Sequence, residues 1–404
     1  MEQSHVTKRS EKGVLAVVTL SHLAQHFYVG ISILYTYMML DLNLSYTQLG
    51  IMTGLISIIS GFLQIVWSFL NRSVSRRLLL ALGNLLMSIG CFITATASRF
   101  TELIGATLAV GSGQAAQHPV GTSILAHKFP KEKMPGALSI HYGLGYVGNI
   151  ISPVILSSIA ILFGWRSAAY TVAAIPLITC LVLLLYLRGE ESTSRSVERR
   201  EGSSFWRDIV STIHVKGAML IIAIQAFAAS GSGMDLVTTY TPLFLRNQLK
   251  VGIVETSVVY SIAVAGGVVG TIFFGHVANR LGSLRTATII LGLASASIFL
   301  LTFYSSFSVL LVLHLFIVGV TSFSFSSLLQ AHLASISTPE QRDILIGLFF
   351  TVGFGITSIW TTFTGYLIDT YGSFTPAWLL RTGLGSIAFL LAVIALRRFR
   401  ARTE

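Results

Sequence analysis

The sequence predicts an all-α integral membrane protein, with twelve transmembrane helices arranged as two pseudo-symmetric six-helix bundles. Three observations carry that expectation. Apolar runs of 18 or more residues recur along the whole chain, each long enough to cross a hydrocarbon layer of about 30 Å. With 53% hydrophobic and 11% charged residues and a mean hydropathy of +0.76, a soluble core could not hide them. Basic residues are unevenly placed: with the amino terminus inside, 22 of the 27 Lys and Arg fall on the inner side, which is the bias of cytoplasmic loops. The halves also share a register. An offset of 208 residues carries Asn71 onto Asn279, Arg72 onto Arg280 and Arg77 onto Arg285, and likewise Gly111 onto Gly319, Glu132 onto Glu340 and Gly164 onto Gly372.

Helices are expected at 14–40, 47–70, 78–97, 101–127, 136–162, 165–187, 216–245, 253–279, 286–304, 307–335, 344–370 and 374–396. The domains follow: an N-terminal bundle over 1–187, a cytoplasmic linker over 188–215 and a C-terminal bundle over 216–404. Both termini and the linker are placed in the cytoplasm, in a plasma (inner) membrane. The net charge of +11 is then a topology signal, and no nucleic-acid partner is expected. The first apolar run is too long for the core of a signal peptide and reads as a retained helix.

In helix 1, Ser21, Gln25, Tyr28, Ser32 and Tyr35 form one stripe at about 100° per residue, with His22 and His26 on its flank. Such a stripe faces protein or a wet cavity, not lipid. Helix 2 ends at the basic turn Asn71–Arg77, and helix 3 is largely featureless. Helix 4 holds Gln114, Gln117, His118 and Pro119 among glycines; the proline frees a carbonyl, tolerable only beside protein or water. Helix 5 sets His141, Gly145, Gly148 and Ser152 on one face suited to close packing. Asn149 adds an amide there. Mixed Arg, Glu, Ser and Thr mark the linker, with a short surface helix expected at Phe205-Trp206.

Helix 7 places Gln225, Ser232, Asp235 and Thr239 on one stripe, followed by Tyr240. Asp235 is the one carboxylate expected deep inside a helix, where a lone acid could exchange protons. Arg381, two turns into helix 12, is expected to snorkel to the outer interface. Cys91 and Cys180 sit in apolar helices with no metal spacing and no disulfide framework. His22, His26 and His118 could share a layer and handle protons or an anionic substrate, while His22 and His26 alone are too few for a membrane metalloenzyme. No cofactor or metal is expected, and no Walker-type loop is present.

The turn Gly275–Arg285 needs Gly275 for a close helix approach, Gly282 to reverse the chain, and Arg280 and Arg285 in the headgroup layer. It resembles the loop between the second and third helices of each half of major facilitator superfamily transporters, with Asn279 where an Asp is usual. The resemblance implies two halves, each an inverted repeat, rocking about a midplane site lined by helices 1, 4, 7 and 10. It makes Asn71, Arg72, Arg77, Gly275, Asn279, Arg280, Gly282 and Arg285 the gating residues. Gly148-x-x-x-Ser152-Pro153 partly resembles the helix 5 motif of the superfamily's proton antiporters, without its later glycines. The Gly111–Gly121 segment, with His118-Pro119, resembles the fosmidomycin-resistance-like branch.

That branch implies a monomeric antiporter for proton-coupled efflux of a small polar or amphiphilic, drug-like compound. Uptake or exchange of an organic acid is the alternative, the histidines supplying positive charge. Candidate substrate-binding residues are His22, Gln25, His26, Tyr28, Tyr35, Gln114, Gln117, His118, Asn149 and Tyr240, with Asp235, His22 and His118 for proton coupling.

Overall fold

A computed structural model describes residues 10–71, 73–130, 133–188 and 215–400. Arg72, Glu132, the linker helix at Phe205-Trp206 and the end of the basic tail lie outside the described residues. The described segments are helical, and eleven helices are long and apolar enough to cross a membrane.

The first span, Glu11–Leu42, is built from α1 (Glu11–Val29), a 3-10 stretch (Gly30–Leu34) and α2 (Tyr35–Leu42). Ser10 starts it by accepting the Gly13 N–H at 3.1 Å. Then follow α3 (Tyr46–Leu70) and α4 (Arg76–Thr96). The continuous helix expected over 101–127 is instead α5 (Phe100–Gln114), a π turn (Gln117–Gly121) and α6 (Thr122–Lys128). Pro119 sits inside that turn, where its missing N–H and bulky ring break the regular ladder. Next come α7 (Met134–Phe163) and α8 (Trp165–Tyr186).

Beyond the linker, α9 (Ala218–Ser232) stops where Gly233 is extended. The span continues through a π turn (Leu236–Tyr240), α10 (Thr241–Leu243) and a second π turn (Phe244–Gln248). This departs from the single helix expected over 216–245. The chain closes with α11 (Ile253–Leu281), α12 (Ser283–Leu300), α13 (Val309–Ser335), α14 (Pro339–Tyr371) and α15 (Thr375–Arg400).

The contacts divide the chain into two compact units. One comprises the residues up to Leu34 and those from Ile59 into the linker; the other comprises Tyr35–Ile58 and the remainder. In the first, α1 packs on α7, and α4 on α5 and α8. In the second, α9 packs on α14, and α12 on α13 and α15. These are the same pairings displaced by one repeat. The helix ends match as well: α7 ends at Gly164 with φ +83° and α14 at Gly372 with φ +61°, two positive-φ glycine caps 208 residues apart.

Each unit buries its own apolar core, around Val14, Leu80, Val120 and Leu183 in one and Ile221, Ile290, Phe325 and Leu329 in the other. Small residues set the closest approaches. A Cβ on Gly319 would run into the Ala263 carbonyl. Phe62, Ile272 and Ile359, by contrast, are more than half exposed, as lipid-facing side chains are.

Candidate functional site

Among the described residues, each unit holds one prominent cluster of polar groups inside its spans. In the first unit three histidines converge on His22. Its ring centroid lies 4.6 Å from His26, 4.5 Å from His141 and 5.4 Å from His118. They come from α1, the π turn and α7. The small face expected on α7 makes the meeting possible: a Cβ at Gly145 would stand 2.7 Å from His22 Cγ, and one at Gly148 2.7 Å from the Phe27 amide nitrogen. Tyr142 and Tyr146 complete the ring cluster, 5.2 Å from His22 and 4.6 Å from His26 respectively.

Hydrogen bonds order these rings. His22 Nδ1 meets the His141 carbonyl at 3.1 Å, the two Nε2 atoms of His22 and His26 face at 3.0 Å, and His26 Nδ1 faces Asn149 Oδ1 at 3.1 Å. His22, His141 and Asn149 have no exposed surface. Ser21 donates to Gln117 Oε1 at 2.5 Å and accepts from Asn84 Nδ2 at 2.7 Å. Ser21 thus ties α1 to both the π turn and α4. Buried polar atoms without a partner on these elements include Gln25 Oε1, Gln117 Nε2, His141 Nε2, Asn149 Nδ2 and Ser152 Oγ. Buried polar atoms normally find one, so this cluster is suited to meet polar groups of another molecule. Gln114 and Tyr28 are also buried in this unit. Among the described residues no group of three His, Cys, Asp or Glu is set to hold a metal ion.

The second unit holds an ion pair that the sequence reading missed. Arg381 does not snorkel; it has no exposed surface and pairs with Asp235, Nη2 to Oδ2 at 2.5 Å and Nη1 to Oδ1 at 3.2 Å. Asp235 is therefore not a lone acid. Thr361 Oγ1 donates to its Oδ2 at 2.7 Å, Arg381 Nε donates to Thr364 Oγ1 at 3.2 Å, and the guanidinium lies 5.1 Å from the Tyr240 ring centre. The physical reason is cost: a charge in lipid finds an opposite charge when one is in reach. One acid and one base, each alone in an apolar run, were the available signal. Tyr240, a candidate substrate residue, donates its hydroxyl to the Thr361 carbonyl. Tyr35 belongs to this second unit as well, and is buried there.

Two gating expectations meet different structural fates. Gly282 reverses the chain at φ +84°, as expected. Gly275 has nothing within 4 Å of where a Cβ would stand, so the close helix approach expected there is absent. Asn279, Arg280 and Arg285 are exposed, and Arg77 donates to the Leu184 carbonyl at 3.3 Å inside its own unit. Asn71 keeps a buried Oδ1 without a partner. A groove of about 550 Å³ between α3 and α14, walled by Ile51, Leu55, Ile359 and Phe363 among others, is apolar. It carries neither polar cluster.

Repeated helical units in lipid, each with polar and ionisable groups buried at span depth, define a polytopic membrane carrier of small solutes. The family model described as Major Facilitator Superfamily matches residues 15–361, and the chain belongs to that superfamily of transporters. It is similar to the "Probable L-galactonate transporter" of Escherichia coli (strain K12), 23% identical over 87% of this chain and 82% of the relative. It is also similar to the sialic acid transporter NanX of the same organism, 24% identical over 66% of this chain and 64% of the relative. Among solved structures, a point mutant of the nucleoside transporter NupG aligns with a TM-score of 0.82 at 15% identity, covering 95% of this chain and 99% of that one. That likeness establishes the fold. It does not carry the resemblance to a fosmidomycin-resistance-like branch.

Proposed function

We propose that this transporter carries a small hydroxylated organic acid, taken up or exchanged with protons by alternating access. The observation that carries the reading is the buried Asp235–Arg381 pair. A guanidinium held in a fixed fork matches a carboxylate bidentately, and Asp235 occupies that fork now. Protonation of Asp235 weakens the pair and leaves Arg381 a cation for the substrate carboxylate. One proton and one anion then enter together. Thr361, Thr364 and Tyr240 surround the pair with hydroxyls suited to a polyol chain. The similarity to two relatives, a probable L-galactonate transporter and a sialic acid transporter, supports an acid. It favours this over efflux of a small polar or amphiphilic, drug-like compound, the other expectation from sequence.

The remaining assignments belong to the same proposal. The interrupted segment Phe100–Lys128 counts as a twelfth crossing, giving six in each sequence half. Both termini face the cytoplasm of an inner membrane, on the strength of the Lys and Arg bias. His22, His26, His118 and Gln114 contribute donors and acceptors, and the turns at Asn71–Arg77 and Gly275–Arg285 govern the inner opening. The protein works as a monomer.

The test is uptake into proteoliposomes under an imposed inward proton gradient, with labelled L-galactonate, a sialic acid and, as control, uncharged galactose. Acid uptake that collapses with the gradient, with no galactose uptake, supports the proposal. Galactose moving as readily as the acids, or neither acid moving, removes the carboxylate reading.

A further inference from the structure

The contacts of the histidine pair in the first unit contain more protons than two neutral rings can supply. Three contacts must be filled: His22 Nδ1 to the His141 carbonyl, Nε2 to Nε2 between the rings, and His26 Nδ1 to Asn149 Oδ1. A carbonyl and an amide oxygen only accept, so the outer two contacts each need a ring N–H. The ring-to-ring contact needs a third. Two neutral imidazoles carry two N–H groups.

The third proton can be avoided in one way. If the Asn149 amide turns by about 180°, Nδ2 donates to His26 Nδ1, and two ring protons suffice. The carbonyl-in orientation leaves Asn149 Nδ2 buried without a partner; the amide-in orientation leaves its oxygen so. The two arrangements therefore differ by a single proton at His26 Nδ1 and the rotation of one side chain. Nothing else has to move.

We infer that His22 and His26 form a one-proton binding site whose occupancy is registered by the rotation of Asn149. In the charged state the proton sits on His26 Nδ1 and donates to Asn149 Oδ1. His26 Nε2–H donates to His22 Nε2, and His22 Nδ1–H donates to the His141 carbonyl. In the neutral state the proton has left and Asn149 Nδ2 donates in its place. Around the pair, α7 presents His141, Tyr142 and Tyr146, and the π turn presents His118. The other elements packed on α1 direct their groups elsewhere: Tyr186 of α8 meets Gly13, Asn84 of α4 meets Ser21, and α6 carries His127 and Lys128 in its last turn. The described surroundings thus offer no carboxylate to hold the charge. The Tyr146 ring, 4.6 Å from His26, offers its π face, and an anionic substrate would add the missing counter-charge. This site rests on the transporter class and is independent of the carboxylate site at Arg381.

The test is ring 15N NMR of histidine-labelled full-length protein in lipid nanodiscs, from pH 5 to 8, with no substrate added. One proton per molecule should bind to the His22–His26 pair. Asn149→Leu, which offers no acceptor, should move that titration at least tenfold lower in proton affinity, while Asn149→Asp should move it as far in the opposite direction. His26→Asn should abolish it. An unchanged titration in Asn149→Leu, or a pair that stays neutral across this range in both wild type and Asn149→Asp, overturns the inference. Because the NMR titration uses no substrate, failure of the acid-transport reading leaves this result standing, and the reverse holds.

Discussion

The carboxylate of Asp369 sits on the first turn of the helix that begins at Tyr46, 323 residues earlier. It accepts the Tyr46 N–H at 2.9 Å, the Thr47 N–H at 2.7 Å and the Thr47 hydroxyl at 2.5 Å. Ser45 and Gln48 fill the rest of that helix start reciprocally, Ser45 N–H donating to Gln48 Oε1 at 2.9 Å and Gln48 N–H to Ser45 Oγ at 3.1 Å. Every free N–H of the first turn is thereby satisfied, and the negative charge lies at the positive end of the helix dipole.

Asp369→Asn should weaken this attachment, and Asp369→Ala more so. The site is exposed, so screening keeps the effect small, about 1 kcal/mol for the charge and dipole together. Thr47→Val, which loses one hydroxyl bond, should cost about half as much or less. Thermal unfolding in detergent measures both. Equal melting temperatures for wild type and Asp369→Ala would show that the contact contributes nothing.

Asp235→Asn should be among the most damaging single changes. It leaves the Arg381 guanidinium buried beside a neutral amide, a loss of about 3–5 kcal/mol by analogy with broken buried pairs. The double change Asp235→Asn with Arg381→Gln should regain much of that stability and yet transport no acid. Melting curves together with L-galactonate uptake distinguish the two roles. A double variant that still accumulates the acid would remove Arg381 from the substrate site.

Gly145→Ala should push the His22 ring from its place, since the new methyl group would stand 2.7 Å from Cγ. Overpacking of this kind costs about 1–3 kcal/mol. The sharper readout is spectroscopic: the ring 15N signals of His22 and His26 should shift together, because they share a hydrogen bond. Movement of His22 alone would argue against the shared bond.

Gly275→Ala should leave stability within about 0.5 kcal/mol, as a surface change with open space around it. Any fall in transport rate would then report on gating and not on folding. Gly282→Ala is the contrasting control: at φ +84° and ψ 145° a side chain is strained, and the cost should be of order 1–3 kcal/mol. Thermal unfolding and uptake rates of the two variants, measured side by side, check both statements.

Much of the fold could be read from periodicity and charge, because lipid leaves a spanning chain few options. The 208-residue register seen at Gly164 and Gly372 reappears as two positive-φ helix caps. The small face of Gly145, Gly148 and Ser152 does receive the first span, with Ser152 against Gly30. Two failures have a common cause. Both Phe100–Lys128 and Ala218–Gln248 contain π turns, and a π turn shifts every later side chain off the 100° stripe. The alignment of Asp235 with Thr239 assumed an unbroken helix and so could not show which partner Asp235 faces. Arg381 was misplaced for a different reason: depth along one helix does not reveal a counter-charge on another. His141, expected only on the packing face of helix 5, stacks on His22 at 20° between planes.

The grouping of Tyr35–Ile58 with the later part of the sequence bears on how the polypeptide is made. A ribosome finishes these residues long before Asp369 exists to cap the helix at Tyr46, so the early product must wait in the bilayer with part of its structure undecided. Cutting the gene at the linker would yield two fragments that are not two folding units. Supplied separately, neither should mature; supplied together, they should complement each other.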